Sequence, residues 1–238
     1  MKTKIAFLTI VACTLVAWNA VAQTLLVERR PVKTEESSEV ESWTAKFDQD
    51  MSFCQDMYSD FIKELVKTKV EKRGKNVLVA VKTQFAELSS LRIDQRAIFT
   101  PESGGTAVSF TFSPGYDVHF TAQSYKEEFA KAENFVKNYV QYHYKKYYND
   151  LITNLQGKMK SLQNDIESNG KKTDKNNKAI SSNIADGETE KSKAKNDKLV
   201  KENNQYAAET DSKRKDLADI EDQLAKANDS LQKVLRYK

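Results

Sequence analysis

Two residues in the stretch YDVHFTA have side chains that could act as an acid and a base. Asp117 and His119 lie two positions apart, which on a β-strand puts both side chains on one face. A histidine that is hydrogen-bonded to a carboxylate can serve as a general base. No nucleophile or oxyanion motif accompanies the pair, so we favour a solvated strand face and keep a catalytic or ligand site as the alternative.

The segment NYVQYHYKKYYND, residues 138–150, holds five of the ten tyrosines of the chain. Tyr142 and His143 are its candidate ligand-binding residues. The segment predicts a helix that is apolar on much of its circumference, and such a helix is normally buried on more than one side. Tyrosine suits a boundary because its ring is apolar while its hydroxyl can stay hydrated. We favour packing over an exposed aromatic platform, which remains the alternative.

No other motif predicts catalysis, a metal or a cofactor. The sequence has no glycine-rich phosphate loop, zinc-binding spacing or serine elbow. His143 has no second histidine or cysteine at metal-ligand spacing. Cys54 lies on an apolar helical stripe, which favours a buried thiol over a redox or dimer-linking role. The sequence therefore favours a protein that is not an enzyme, without deciding the question.

Residues 1–22 have the pattern of a secretory signal peptide. A basic start precedes an apolar run that is shorter than the roughly 20 residues of a membrane-spanning helix, and small residues follow at Ala20 and Ala22. Cleavage after Ala22 would export the protein to the periplasm or the extracellular space, without a transmembrane helix. Cys13 ends the stretch IVAC, which is similar to a lipobox, so a lipid anchor at Cys13 is the alternative.

The charge pattern argues against a nucleic-acid partner. Charged residues make up 30% of the chain and the formal net charge is +4, so the two signs nearly balance. Once Cys13 is removed with the signal, Cys54 is the last cysteine and the chain cannot form an internal disulfide. We expect a protein partner of unknown identity, and the sequence leaves self-association open.

The first half of the mature chain predicts a helix and a small sheet. Residues 23–41 have a Ser/Glu-rich run without helical or strand period, which predicts a flexible leader. A helix is expected from near Ser42 to a stop at residues 72–74, and Ser124 is expected to cap the next helix. Between them, turn signals separate four segments that predict three or four antiparallel strands: NVLVAVKTQF, LRIDQRAIFT, TAVSFTFS and YDVHFTA. Helix and sheet together form a predicted base at residues 42–150.

Residues 151–238 predict a coiled coil, because two seams of positions alternate by three and four residues. Each seam is apolar at one end and polar at the other, and the two gradients run in opposite directions. Folding the chain back at a turn near residues 185–189 pairs positions whose numbers add up to 379, such as Leu162 with Leu217. Asn176 then faces Asn203, so the half nearest the turn should be weakly held. The seams are Tyr148, Ile152, Leu155, Met159, Leu162, Ile166, Asn169, Thr173, Asn176 and Ile180, and Leu199, Asn203, Tyr206, Thr210, Lys213, Leu217, Ile220, Leu224, Ala227, Leu231 and Val234.

The sequence thus predicts an α+β fold: a small helix plus an antiparallel β-meander base, with a long C-terminal antiparallel coiled-coil helical hairpin. The function that we favour is a secreted or periplasmic interaction protein, chaperone- or adaptor-like, whose protruding hairpin binds or spaces a protein partner. The alternative is a small-ligand-binding protein or a hydrolase with its site on the β base.

Overall fold

The computed structural model describes residues 26–34, 39–115, 118–187 and 189–237. The predicted signal peptide lies outside these residues. The described elements, in chain order, are β1 (Val27–Val32), β2 (Val40–Phe47), α1 (Met51–Val66), β3 (Glu71–Arg73), β4 (Val77–Gln84), β5 (Arg92–Glu102), β6 (Gly105–Ser113), α2 (Lys126–Ala185) and α3 (Glu190–Arg236).

The predicted fold class is confirmed, because the chain combines a six-stranded antiparallel sheet, a small helix and a long helical hairpin. The chain divides into two compact units, Met1–Val136 and Lys137–Lys238. The boundary falls inside α2. The sheet belongs to the first unit and the pairing of α2 with α3 belongs to the second.

The sheet has the strand order β1-β2-β6-β5-β4-β3, and each neighbouring pair is antiparallel. The tight turn between β5 and β6 contains Gly104, whose φ of +87° favours glycine. A β-carbon on Gly105 would clash with the carbonyl oxygen of Phe47 on β2. These two glycines therefore allow β6 to lie between β2 and β5.

One face of the sheet packs against α1. Tyr58 of this helix is fully buried, and its ring centroid lies 6.0 Å from Phe99 and 6.1 Å from Phe110. Its hydroxyl donates a hydrogen bond to Oε1 of Gln95 on β5. Cys54, which the sequence places on the same helical stripe as Tyr58, is also buried. This apolar stripe fixes the helix on the sheet.

Part of the segment predicted as a flexible leader is strand β1, so that prediction is wrong for these residues. β1 pairs with β2 from Val27 opposite Ala45 to Val32 opposite Val40. It is an edge strand, where Pro31 removes no hydrogen bond from a central ladder. No residue of β1 is fully buried, so the strand lacks the alternating apolar pattern by which strands are recognised in a sequence.

The first helix is shorter than predicted at both ends. Its expected start near Ser42 lies in β2, where Trp43 stacks on Phe129 of α2 at 5.4 Å and donates Nε1–H to the carbonyl of Phe129 at 2.8 Å. The helix ends at Val66, before the left-handed Lys67, and the predicted stop at residues 72–74 forms β3 and the turn after it. Contacts distant in sequence override the helical period here.

The last predicted strand, YDVHFTA, is not a strand in its described part. Val118 makes one isolated bridge with Gly115, and the amide of Phe120 donates to the carbonyl of Phe112 at 2.9 Å. α2 begins at Lys126, two residues after the predicted cap Ser124. The segment after β6 is therefore a connection into α2 and not a further strand.

Candidate functional site

The sequence-predicted acid–histidine pair is only half described. Asp117 lies outside the described residues. His119 follows β6 in the first unit, and only 8% of its surface is exposed. The expectation that His119 lies on a solvated strand face is therefore wrong. Tyr142 and His143 belong to the second unit, and the ligand-binding role of all four residues stays a prediction.

His143 is completely buried among aromatic side chains of its own helix. Its ring lies edge-on to Tyr139, at 5.8 Å, and to Tyr144, at 5.2 Å. The Tyr139 hydroxyl and His143 Nδ1 are 3.5 Å apart. Burial lowers the pKa of His143 from 6.5 to about 3, because the charged imidazolium would lose its hydration. The imidazole is therefore neutral near pH 7 and has the environment of a packing residue.

The tyrosines of residues 138–150 divide into buried and half-buried ones. Tyr139 and Tyr144 are buried, whereas Tyr142, Tyr147 and Tyr148 are half-buried. This gradation supports packing as the main role of the segment, with ring edges and hydroxyls left at the surface.

Cys54 has the environment of a structural thiol. It has no exposed surface, and its Sγ donates to the carbonyl of Gln49 at 3.7 Å. Burial raises the pKa of the Cys54 thiol to about 12. A thiol that stays protonated is a poor nucleophile and a poor metal ligand, so the predicted buried thiol is confirmed.

Within the described ranges, no three His, Cys, Asp or Glu side chains are grouped so that they could hold a metal ion. None of the helices in the described part of the chain has a stretch long and apolar enough to cross a membrane. The second unit contains the long hairpin, whose surface is a further candidate site.

The hairpin has the register that the sequence predicts. Asn176 Nδ2 donates to Asn203 Oδ1 at 3.0 Å, and Asn183 Nδ2 donates to Asn196 Oδ1 at 2.7 Å. The numbers of both pairs add up to 379. Every residue of the two predicted seams is buried or half-buried. The two helices are therefore paired antiparallel along their predicted apolar and polar stripes.

The turn between the arms also lies where it is predicted. α2 ends at Ala185, and Gly187 has a φ of +90° that favours glycine. Thr189 caps α3: its Oγ1 accepts from the amide of Ser192 at 3.2 Å, and its own amide donates to Ser192 Oγ at 2.8 Å. This reciprocal cap starts the second arm immediately after the turn.

Polar layers line the half of the hairpin nearest the turn, where Asn169 of the first seam and Asn196, one step before the second seam, are buried. Asn169 Nδ2 donates to Glu209 Oε2 at 3.4 Å. Near the other end of the seam the buried residues are apolar, as at Leu155 and Ala227. Buried asparagines cost stability relative to leucine but select register, because a slipped pairing leaves amides without partners. The polar half thus specifies the register that the apolar half stabilises.

A disulfide tests this register. Cysteines replacing Leu162 and Leu217, in a Cys54→Ala chain that begins at Gln23, should oxidise to an intramolecular disulfide, since seam partners bring their α-carbons within about 7 Å. Mass spectrometry and non-reducing gels detect the product. Cysteines at Leu162 and Asn203 are the control and should not join. If the cysteines at positions 162 and 217 form exclusively intermolecular disulfides, the hairpin is contradicted.

The two flanks of the seam differ in character near the turn. In each heptad, written abcdefg, the seam occupies positions a and d. We call the e positions, which directly follow d, the apolar flank. We call the g positions, which directly precede the next a, the charged flank. In antiparallel helices, equivalent flanking positions of both arms lie on the same side. The apolar flank consists of Gly170, Asn177, Ile184, Lys193, Val200 and Ala207, and the charged flank of Lys172, Ala179, Asp186, Lys195, Glu202 and Glu209.

Ile184 and Val200 on the apolar flank are the exposed large side chains of this part of the hairpin, with 56% and 47% of their surfaces accessible. In the observed register they are offset by five residues, which is about 7.5 Å along the hairpin axis. Sequence reasoning missed this pair because it followed only the seams. Reading the positions beside each seam would have found it.

No family model, curated protein or solved structure matches this chain.

Proposed function

We propose that this chain is an exported protein that is not an enzyme and that its coiled-coil hairpin binds or spaces a protein partner, as a chaperone or adaptor does. The observation that carries the proposal is the exposed pair Ile184 and Val200 on the apolar flank. Export rests on the signal-like pattern of residues 1–22 alone.

The apolar pair lies outside the two seams that hold the hairpin together. The seam residues of both arms are buried or half-buried between the helices, whereas Ile184 and Val200 lie beside the seam in water. A partner that covered both side chains would gain on the order of 2 kcal/mol from their burial. This is a useful part of a binding free energy, since a few well-packed side chains dominate most interfaces.

The charge around the pair indicates the chemistry of the partner. Residues 168–201 contain nine lysines and five acidic residues, so this part of the hairpin is positively charged. A protein segment with apolar side chains between acidic residues would complement it, and charge attraction would speed the encounter. An acidic, partly apolar protein surface is therefore the partner that we propose.

The double variant Ile184→Lys/Val200→Lys tests the proposal. Tagged protein is isolated from the envelope of its host, and the amount of bound partner is measured by quantitative mass spectrometry. We expect the variant to retain about one tenth or less of the partner that the wild type retains. A tenfold loss corresponds to about 1.4 kcal/mol of binding free energy. Circular dichroism should show an unchanged helix content, because both positions are exposed.

The control variant, Ala194→Lys/Ala208→Lys, adds the same charge on the exposed outer side of α3. It should retain the partner at the wild-type level. Equal retention by both variants, or equal loss from both, would contradict a role for the apolar flank.

A further inference from the structure

The charged flank of the hairpin is part of a wider charged surface. Each g position lies beside the c position three residues later, and we call the g and c positions of residues 158–226 the charged face. Its lysines gather toward the turn and its acidic residues away from it, with Asp186, Lys158 and Lys226 as exceptions at the two ends. The lysines are Lys172, Lys175, Lys191, Lys195 and Lys198, and the acidic residues are Asp165, Glu202, Glu209, Asp216 and Asp219.

The observed register places these charges along the hairpin axis. Asn176 donates to Asn203, so paired positions of the two arms have numbers that add up to 379. Each residue of α3 can therefore be given the number of the α2 residue beside it, which we call its level. The five lysines occupy levels 172 to 188, and the five acidic residues occupy levels 160 to 177. Each group thus extends over about 25 Å, so the two groups match in number and in length.

Most of these charges lack an ion-pair partner among the described residues of the hairpin. Nine of the ten side chains are exposed, and Glu202 is half-buried. Asp165 pairs with Lys213 at 2.6 Å, and Lys172 lies over the ring of Tyr206 at 5.2 Å. Glu202 and Glu209 accept hydrogen bonds from asparagines of the seam. The six side chains that form no ion pair within the described part of the chain are Lys175, Lys191, Lys195, Lys198, Asp216 and Asp219.

We propose that the charged face binds the charged face of a second copy of this chain, in antiparallel orientation. A two-fold axis brings the lysines of each copy onto the acidic residues of the other, so the attraction occurs twice. An axis at level 174 fits the spacing. Lys195 lies ten residues beyond this level, toward the turn, and Asp216 lies eleven residues before it. Lys191 and Asp219 each lie fourteen residues from it, on opposite sides.

The composition of the charged face sets the strength of this contact. Ala179 is the apolar residue among its g and c positions, so ion pairs supply most of the attraction. Ion pairs at a surface contribute little individually and are screened by salt. The dimer is therefore weak and sensitive to salt. The e positions lie on the other side of the seam, so the dimer leaves Ile184 and Val200 accessible to the partner proposed above.

Sedimentation equilibrium of the chain that begins at Gln23 tests the dimer. At about 200 µM protein in roughly 20 mM NaCl, we expect a dissociation constant on the order of 0.1 mM. In roughly 500 mM NaCl the dissociation constant should rise at least about tenfold, because the screening length falls from roughly 20 Å to roughly 4 Å.

Two charge-reversal variants test the pairing of lysines with acidic residues. Lys195→Glu/Lys198→Glu and Asp216→Lys/Asp219→Lys should each dimerise at least about tenfold more weakly than the wild type, because like charges then meet. An equimolar mixture of the two variants should regain dimers, since each reversed group then meets its opposite sign on the other variant. The mixture distinguishes a contact between two copies from a contact within one chain.

Lys178→Glu/Lys201→Glu is the matched control, because it makes the same change in net charge at exposed f positions, outside the charged face. It should dimerise like the wild type. Ile184→Lys/Val200→Lys should also dimerise like the wild type, which separates this contact from partner binding by the apolar flank. A wild-type chain that stays monomeric at low salt, or a mixture of the two charge-reversal variants that stays monomeric, would overturn the proposal.

Discussion

Replacing Tyr139 with alanine should lower the free energy of unfolding of the second unit by about 4 kcal/mol, as expected for truncation of a large aromatic side chain in a core. The Tyr139 side chain has no exposed surface, and its ring packs edge-on against His143. Surrounding side chains of a helix cannot close a space of this size. Urea denaturation followed by circular dichroism measures the change.

Tyr147→Ala is the control for this prediction. Tyr147 belongs to the same tyrosine-rich segment but is half-buried, so its truncation should cost about half as much as that of Tyr139. A loss below about 1 kcal/mol for Tyr139→Ala would show that the segment is not a core. The exposed aromatic platform would then become the better interpretation.

Acid should destabilise the protein through His143. Its pKa is about 3 in the folded chain and near 6.5 when exposed, so the unfolded chain binds one more proton between these values. The stability is fully present above pH 6.5 and is lost as the pH falls toward 3. One proton corresponds to about 1.4 kcal/mol per pH unit, so the total loss over the 3.5 pH units is on the order of 5 kcal/mol.

The comparison of wild type with His143→Phe isolates this contribution, because the carboxylates titrate in both proteins. Urea denaturation at several pH values should show a shallower loss of stability for the variant between pH 6.5 and 3. Identical pH profiles for the two proteins would mean that His143 is hydrated in the folded state.

The hairpin could be predicted from the sequence because the positions that pair its two arms are periodic. Each seam repeats every three to four residues, so the register follows from one further quantity, the position of the turn. The contact of Asn176 with Asn203 follows from that choice. The hydrogen-bonded cap at Thr189 was missed because a cap is a detail of side-chain geometry.

The sheet was harder to predict because its pairings join distant parts of the chain. Trp43 of β2 lies opposite Phe110 of β6, and no local period connects them. β1 is an edge strand without a buried face, so its polar sequence resembles that of a leader. β1 and β2 lie in the region where the sequence predicts a leader and the start of a helix.

The candidate sites depended on burial and strand order, which residue spacing alone does not provide. His119 is buried although its spacing from Asp117 suggested an exposed face. The sequence therefore predicts which residues could bind a ligand or act in catalysis, but it does not predict which of them lie at a surface.

The proposed function is tested most directly by photo-crosslinking in living cells of the host. p-Benzoylphenylalanine replaces Ala207 on the apolar flank or, as the control, the adjacent Ala208 on the outer side of α3; both positions are exposed. A hairpin that binds its partner through the apolar flank should form one dominant crosslinked protein product from position 207 and little from position 208. Equal yields at the two positions, or no product at either, would contradict the account.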